Sequence, residues 1–210
     1  MLEFAALIII GLVALTISEF IRKRVAVDNE YSRKTYHIVH AVLFGLAPFL
    51  VSYQIIIGLE LLLLLEILII RRYNLLPWLH EVGRLSWGDV FTIAGVVVIS
   101  LLQPDSWIFL AAMLHLGFAD SAAALVGKKY GKSTSYKVFG QTKSLVGSLA
   151  FYVTSFTITL VLMQYMPPQY HSLAVLLLLP PLVTLVENIG IFGSDNFVIP
   201  VVLVLFFQNL

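Results

Sequence analysis

FADSAAALVGKKYGKSTSYKVFGQTKSLVGS, from Phe118 to Ser148, closes one apolar run and opens the next, with a polar segment between them. Asp120 stands inside the first run. Five lysines follow (Lys128, Lys129, Lys132, Lys137 and Lys143), with Gly127, Gly131, Gly140 and Gly147 among them and the Ser144 and Ser148 hydroxyls at the far end. Glycine lets a backbone come close to a ligand, while lysine and free backbone N–H groups neutralise phosphate. A carboxylate at the edge of such a cradle suits Mg²⁺, which keeps some waters and bridges one or two acids to phosphate oxygens. The stretch reads as a nucleotide-phosphate site at a membrane surface.

The rest of the chain sets the class. Of 210 residues, 60% are hydrophobic and only 12% charged, far from the mixed surface of a soluble domain. The expected fold is all-α, a polytopic membrane bundle of seven or eight helices. At about 20 residues per crossing, the spans fall at Phe4–Ile21, His37–Val51, Tyr53–Ile70, Val90–Leu102, Trp107–Val126, Leu145–Met163, Ser172–Ile189 and Phe197–Phe207. The fourth and eighth are short, and Pro180–Pro181 is expected to break or kink the seventh. The first run is too long for a signal-peptide core, has no basic region before it, and reads as a retained span. There is no cysteine, which excludes disulfides and thiolate ligation. No linker or repeat divides the chain, so one domain over residues 1–210 is expected.

The basic residues orient the bundle. Arg22, Lys23, Arg24, Arg33 and Lys34 lie between spans one and two; Arg71, Arg72 and Arg84 between three and four; the five lysines between five and six. These are all 13 Lys and Arg residues, and all fall on one side of an alternating topology. The positive-inside rule makes that side cytoplasmic and the N-terminus external. The loop after span seven then brings Glu187, Asn188, Asp195 and Asn196 to the same face as the lysines. Acids at membrane depth are costly and by default functional, so Asp120, Glu187 and Asp195 mark a site at the inner interface.

Each motif has a plainer counterpart. Gly127-Lys-Lys-Tyr-Gly131-Lys132-Ser133 has three residues between its glycines where a P-loop has four, and no strand precedes it, so the P-loop fold is excluded. The lysines serve equally well as a phosphate cradle or as a loop that fixes topology and touches anionic lipid. Asp120 shares a helical face with Ala124 and Gly127, which leaves room for a ligand or for another helix. Arg33 and His37, in RKTYH, sit at i and i+4, where a guanidinium meets phosphate and a histidine handles a proton, or where both merely anchor the interface. Glu60 and Glu66, inside the third span, either line a substrate path or pair within the bundle. Asp89 caps the fourth span or joins the site. The other histidines show no metal-ligand spacing.

The order of these motifs resembles that of the integral-membrane, CTP-dependent lipid kinases, the family of dolichol kinase, phytol kinase and CTP-dependent diacylglycerol kinase. Its early R-K-x-x-H matches Arg33, Lys34 and His37. Its G-D-x-x-A-x-x-x-G-x-x-x-G matches Asp120, Ala123, Gly127 and Gly131, with Ala119 at the first glycine. Its K-[ST]-x-E-G-S matches Lys143, Ser144, Gly147 and Ser148, with Val146 at the glutamate, and its late acid and D-N-x-x-x-P match Glu187, Asp195, Asn196 and Pro200. The matches run from Arg33 to Pro200. The resemblance implies a bilayer lipid alcohol phosphorylated by CTP with Mg²⁺. Asp120, His37 and Asp195 would be catalytic. Arg33, Lys34, Gly127, Lys128, Lys129, Gly131, Lys132, Lys143, Ser144, Gly147 and Ser148 would hold nucleotide and phosphate, and Asp120, Asp195, Glu187 and Asn196 the metal. With Val146 in place of the glutamate, either Glu187, Asp195 or Asp89 supplies the missing acid or the activity is altered. No nucleic-acid partner is implied.

Two other readings compete. A phosphatidate cytidylyltransferase shares an acid, glycine and lysine pattern, but the chain has no H-G-G-x-x-D-R-x-D ending. A small transporter would suit Glu60, Glu66, Asp120 and the double proline, but no inverted repeat is evident.

Overall fold

Runs that are apolar on every side form helices wherever the backbone must satisfy its own hydrogen bonds, as it must in hydrocarbon. The computed structural model describes residues 29–73 and 87–210, so the expected first span and Arg22, Lys23, Arg24, His80 and Arg84 lie outside the described residues. Among the described residues there are seven helices. They are α1 (Asn29–Leu46), α2 (Tyr53–Arg72), α3 (Gly88–Leu101), α4 (Ser106–Tyr130), α5 (Leu145–Leu162), α6 (Leu173–Ile189) and α7 (Asp195–Gln208). Helices α2, α4 and α5 are long and apolar enough to cross a membrane, whereas α3, α6 and α7 are apolar but shorter.

Helix α4 is the central member. In its most apolar window 72% of residues are buried, against 28% for α2 and α5. Phe109, Met113 and Leu116 of α4 meet Ile99 of α3, Phe151 of α5, Leu179 of α6 and Leu203 of α7 in one continuous core. The outer face of α2 instead exposes Leu61, Leu62, Leu65, Leu68 and Ile69, a surface suited to lipid rather than water. Among the described residues α1 already includes Asn29, well before the expected His37, which places the whole RKTYH motif on a helix packed along α4. An i,i+3 pair, Arg33 to Glu30 at 2.7 Å, supports that early turn.

Two expectations are corrected. The all-α reading missed an antiparallel hairpin of β1 (Ser135–Val138) and β2 (Gln141–Ser144), which pairs Tyr136 with Lys143 and Val138 with Gln141. Its two-residue turn, Phe139–Gly140, has φ of 47° and 80°, the pair of positive values that matches strand twist. The alternation of half-buried Tyr136 and Val138 with exposed Ser135 and Lys137 was present in the sequence, hidden among lysines that read as loop. Of the break or kink expected at Pro180–Pro181, the break does not occur. Helix α6 runs through both prolines to Ile189, as neighbouring helices permit inside a bundle.

The hairpin leads straight into α5, whose N-terminal half crosses α4 at close range. A Cβ on Gly131 would lie 2.3 Å from Ser144 Oγ and 2.4 Å from the Gly127 carbonyl oxygen. Close approach of two helices, more than approach to a ligand, is therefore what the Gly131 position requires. Gly131→Ala is expected to destabilise the protein by about 1–3 kcal/mol through overpacking. Gly58→Ala in α2, where nothing lies within 4 Å of the new methyl group, should instead be neutral or stabilising by up to about 1 kcal/mol. Thermal unfolding of both variants in detergent checks the contrast.

Candidate functional site

A cavity of about 840 Å³ opens where five elements end together. The first turns of α1 supply Glu30, Arg33 and Lys34; the second half of α4 supplies Asp120, Ala123, Gly127 and Lys128. The hairpin adds Gln141, Thr142 and Lys143, the start of α5 adds Ser144, Gly147 and Ser148, and the α6–α7 junction adds Glu187, Gly190, Asp195 and Asn196. Thus residues separated by up to 166 positions in sequence, Glu30 and Asn196, line one wall system (196 − 30 = 166).

Asp120 is placed by an irregular turn. Residues His115–Ala119 of α4 form a π-helical turn, in which the Asp120 N–H bonds to the His115 carbonyl. One inserted residue rotates everything after it, and such turns concentrate at functional sites. The Asp120 carboxylate forms an ion pair with Lys34, and both are buried. His37, one turn further along α1, puts Nε2 3.5 Å from Asp120 Oδ2 and 3.1 Å from the Leu116 carbonyl in the π turn. A carbonyl only accepts, so Nε2 carries the proton and donates to it.

The second charged centre belongs to the hairpin. Lys143 Nζ donates to Glu187 Oε1 at 2.5 Å and to the Glu187 carbonyl at 2.7 Å, and lies 3.7 Å from Asp195 Oδ2. Burial pulls the Lys143 pKa down, but the Glu187 and Asp195 carboxylates outweigh it and hold the pKa above its ordinary value, so the ammonium stays charged at neutral pH. Across the strand pair, the Tyr136 hydroxyl meets Ser148 Oγ at 2.9 Å and also donates to Asn188 Oδ1. Ser148 donates to the same Asn188 oxygen at 2.9 Å. These contacts fasten the half-buried face of the hairpin to α5 and α6, and Lys143 is carried with it.

Ser144 is the N-cap of α5, its Oγ accepting from the Gly147 N–H at 3.1 Å. The N-terminus of α5 therefore faces the cavity, where its dipole and N–H groups favour an anion. Lys128 and Lys132 line the same space from exposed positions.

Most of the expected site residues come together here. Arg33, Lys34, Asp120, Gly127, Lys128, Gly131, Lys132, Lys143, Ser144, Gly147, Ser148, Glu187, Asp195 and Asn196 all line the cavity. Two do not. Lys129 lies over the Tyr130 ring, 5.0 Å from its centroid, and His37 lines a smaller neighbouring cleft. Asp89 is engaged by Arg71, whose Nε reaches Oδ2 at 2.9 Å, and it too lies beside the smaller cleft. Val146 is half-buried and is not part of the cavity wall, so the acids there come from α1, α4, α6 and α7. Sequence reading missed Glu30, Gln141, Thr142 and Tyr136. The hairpin alternation was the available signal for Tyr136.

The expected metal set is not drawn into one cluster. Among the described residues no three His, Asp or Glu side chains are grouped to hold an ion by themselves. Asp120 faces Lys34, Glu187 faces Lys143, and the Asn196 amide donates to the Gly88 carbonyl at 2.9 Å. Magnesium needs no closed cage, since one or two carboxylates suffice when phosphate oxygens complete the shell. Glu187 and Asp195, both beside Lys143 and both open to the cavity, fit that requirement.

Comparison with known proteins gives three related results. The chain is 32% identical over 136 residues to phytol kinase of Synechocystis sp., covering 61% of this chain and 57% of that protein. It is 32% identical over 145 residues to CTP-dependent diacylglycerol kinase 1 of Schizosaccharomyces pombe, covering 63% of this chain and 65% of that protein. It is 43% identical over 53 residues to dolichol kinase of Saccharomyces cerevisiae, covering 25% of this chain and 10% of that protein. The chain thus spans less than two thirds of the length of each of these relatives. No family model matches the chain, and no solved structure does. The curated homologues of this chain are lipid kinases named for phytol, dolichol and diacylglycerol, which is the CTP-dependent membrane family that its motif order resembles.

Proposed function

We propose that this chain transfers the γ-phosphoryl group of CTP to the hydroxyl of a membrane lipid alcohol (a polyprenol, a phytol-like prenol or dolichol), giving the lipid monophosphate and CDP. The observation that carries this reading is a polar, lysine-lined cavity of about 840 Å³ built at one end of an apolar helix bundle. A soluble anionic co-substrate and a bilayer alcohol can meet there, and the named relatives are lipid kinases. The positive-inside distribution puts this end in the cytoplasm, with the chain threading the membrane seven or eight times.

The cavity suits phosphoryl transfer, in which a protein mainly positions the reactants and neutralises charge. Arg33, Lys128, Lys132, Lys143 and the α5 N-terminus take the phosphate oxygens. The alcohol oxygen bonds to the γ-phosphorus in line, the bond from that phosphorus to the β–γ bridging oxygen breaks, and CDP leaves with the electron pair. Asp120 is the group that accepts the hydroxyl proton, its carboxylate held by Lys34 and by His37 at the same oxygen, Oδ2. Glu187 and Asp195 would hold Mg²⁺, which supplies charge neutralisation on the phosphates when bound.

The decisive assay uses purified protein in detergent, CTP labelled on its γ-phosphate, Mg²⁺, and a panel of prenols with diacylglycerol. Label should enter a lipid product, and Asp120→Asn should reduce the rate by roughly a hundredfold or more. Label passing to lipid from the α-phosphate with phosphatidate would replace the kinase with a cytidylyltransferase; transfer from neither position would end both readings. Lys143→Met should act differently. It is expected to raise KM for CTP roughly tenfold or more through a lost charge-assisted contact. It should also lower the melting temperature, because Glu187 loses its ammonium partner. An unchanged KM for CTP would remove Lys143 from the phosphate site.

A further inference from the structure

Beside the large cavity lies a narrow cleft of about 30 Å³, lined by Tyr36, His37, His40, Ile67, Thr92 and Ile93. It adjoins the cavity, since Arg33 and Asn196 line both. Its volume admits the hydroxyl and first carbon of a ligand and no more. Among the described residues, α1 packs closely on α4 while α3 packs on α2 and α7, so the cleft follows a seam between two groups of helices.

Deep in this seam, His40 Nε2 lies 3.0 Å from Glu60 Oε1. Glu60 is fully buried and His40 is 5% exposed, yet His40 Nδ1 and Glu60 Oε2 have no hydrogen-bond partner among the described residues. A buried pair of this kind is held near net neutrality, because an isolated charge there is prohibitively costly. Three neutral arrangements exist. A protonated Glu60 donates to Nε2 of a neutral imidazole, an ionised Glu60 accepts from an imidazolium, or a neutral imidazole donates its Nε2–H to the carbonyl oxygen of a protonated Glu60. In the first two Nδ1–H is a donor without an acceptor, and in the third Nδ1 is an acceptor without a donor. In every one Nδ1 is left with an unmet hydrogen bond.

We propose that this cleft is the acceptor subsite of the reaction, where the unmet hydrogen bond of His40 Nδ1 is made to the hydroxyl of the lipid alcohol, a group that both donates and accepts. The assignment rests on the kinase reading above and adds to it the residues that receive the lipid. Tyr36, Ile67 and Ile93 flank the first carbons, and the tail leaves along the seam toward the apolar outer face of α2. His40 and His37 occupy successive turns of α1, and His37, which lines the cleft, lies 3.5 Å from Asp120 Oδ2, so the mouth of the cleft is near the proton acceptor. Glu60 is then a positioning residue: it fixes His40 through Nε2 and touches neither substrate.

The test measures KM for geranylgeraniol and for CTP separately, in wild type and in a His40→Phe, Glu60→Leu double variant. Replacing both partners by apolar groups leaves no orphaned charge, which favours folding. The expected result is a KM for geranylgeraniol raised about tenfold, with KM for CTP moving less than about twofold. Unchanged values, or an equal rise in both, would overturn the subsite. A second measurement needs no variant: a prenol analogue with a diazirine next to its hydroxyl is photolysed on wild-type protein. Crosslinks should map to α1, α2 or α3 around Tyr36, His40, Ile67 and Ile93, and crosslinks confined elsewhere would refute the assignment. A protein that transfers label normally but fails both tests loses the cleft alone. A protein that transfers no label loses the kinase reading, and the crosslink map then stands or falls as a prenol site by itself.

Discussion

The ion pair between Lys34 and Asp120 is the constraint on which the rest of the arrangement depends. Both side chains are buried, Lys34 at 3% and Asp120 at 5% exposure, in a chain whose interior is mainly apolar. Desolvating two charges costs several kcal/mol per ion, and an apolar pair of the same size would often be as stable. What the pair contributes is definition. It joins α1 to α4 at one register and aims a carboxylate at the cavity. Its geometry requires the π turn before Asp120, because a regular helix would rotate the acid away from the Lys34 side of α4.

The hairpin solves the complementary problem of bringing positive charge to the same place from a water-exposed loop. Two short strands alone are marginal in water. Here the strand pair is fastened at Tyr136 to Ser148 and Asn188, and at Lys143 to Glu187, so its conformation is set by α5 and α6. The pairing of Tyr136 with Lys143 across the ladder makes the two anchors one rigid unit. The polar chemistry thus rests on two clamps, one made by α1 and α4, the other by the hairpin and α6, with the start of α5 between them.

The legible part of this design was its polarity. An acid in an apolar run, such as Asp120 or Glu187, and a cluster of lysines beside one are conspicuous because hydrocarbon tolerates neither without a reason. The helical character of the spans followed from the same rule. What could not be read was pairing. Lys34 with Asp120, His40 with Glu60 and Lys143 with Glu187 are separated by 86, 20 and 44 positions, and composition carries no information about which helices become neighbours. The glycines misled in a physical way, since a residue without Cβ serves a ligand and a helix crossing alike, and at Gly131 the crossing governs. Glu60 stayed ambiguous until a histidine was found 3.0 Å away.

These pairings also explain how so few charges sustain a site in a chain that is only 12% charged. The acids on the cavity wall with resolved partners each have a cation beside them: Glu30 with Arg33, Asp120 with Lys34, Glu187 with Lys143. A wall neutralised in pairs costs less to bury than one of a single sign. Such a wall holds its geometry without ligand, which is what preorganised catalysis of charge transfer needs. Lys128 and Lys132 line the rim from exposed positions, where water still screens them. The rim and the paired wall share α4: the rim lies at its C-terminal end and the turn after it, the paired wall on α1, at Asp120 two turns earlier in α4, on α6 and on the hairpin.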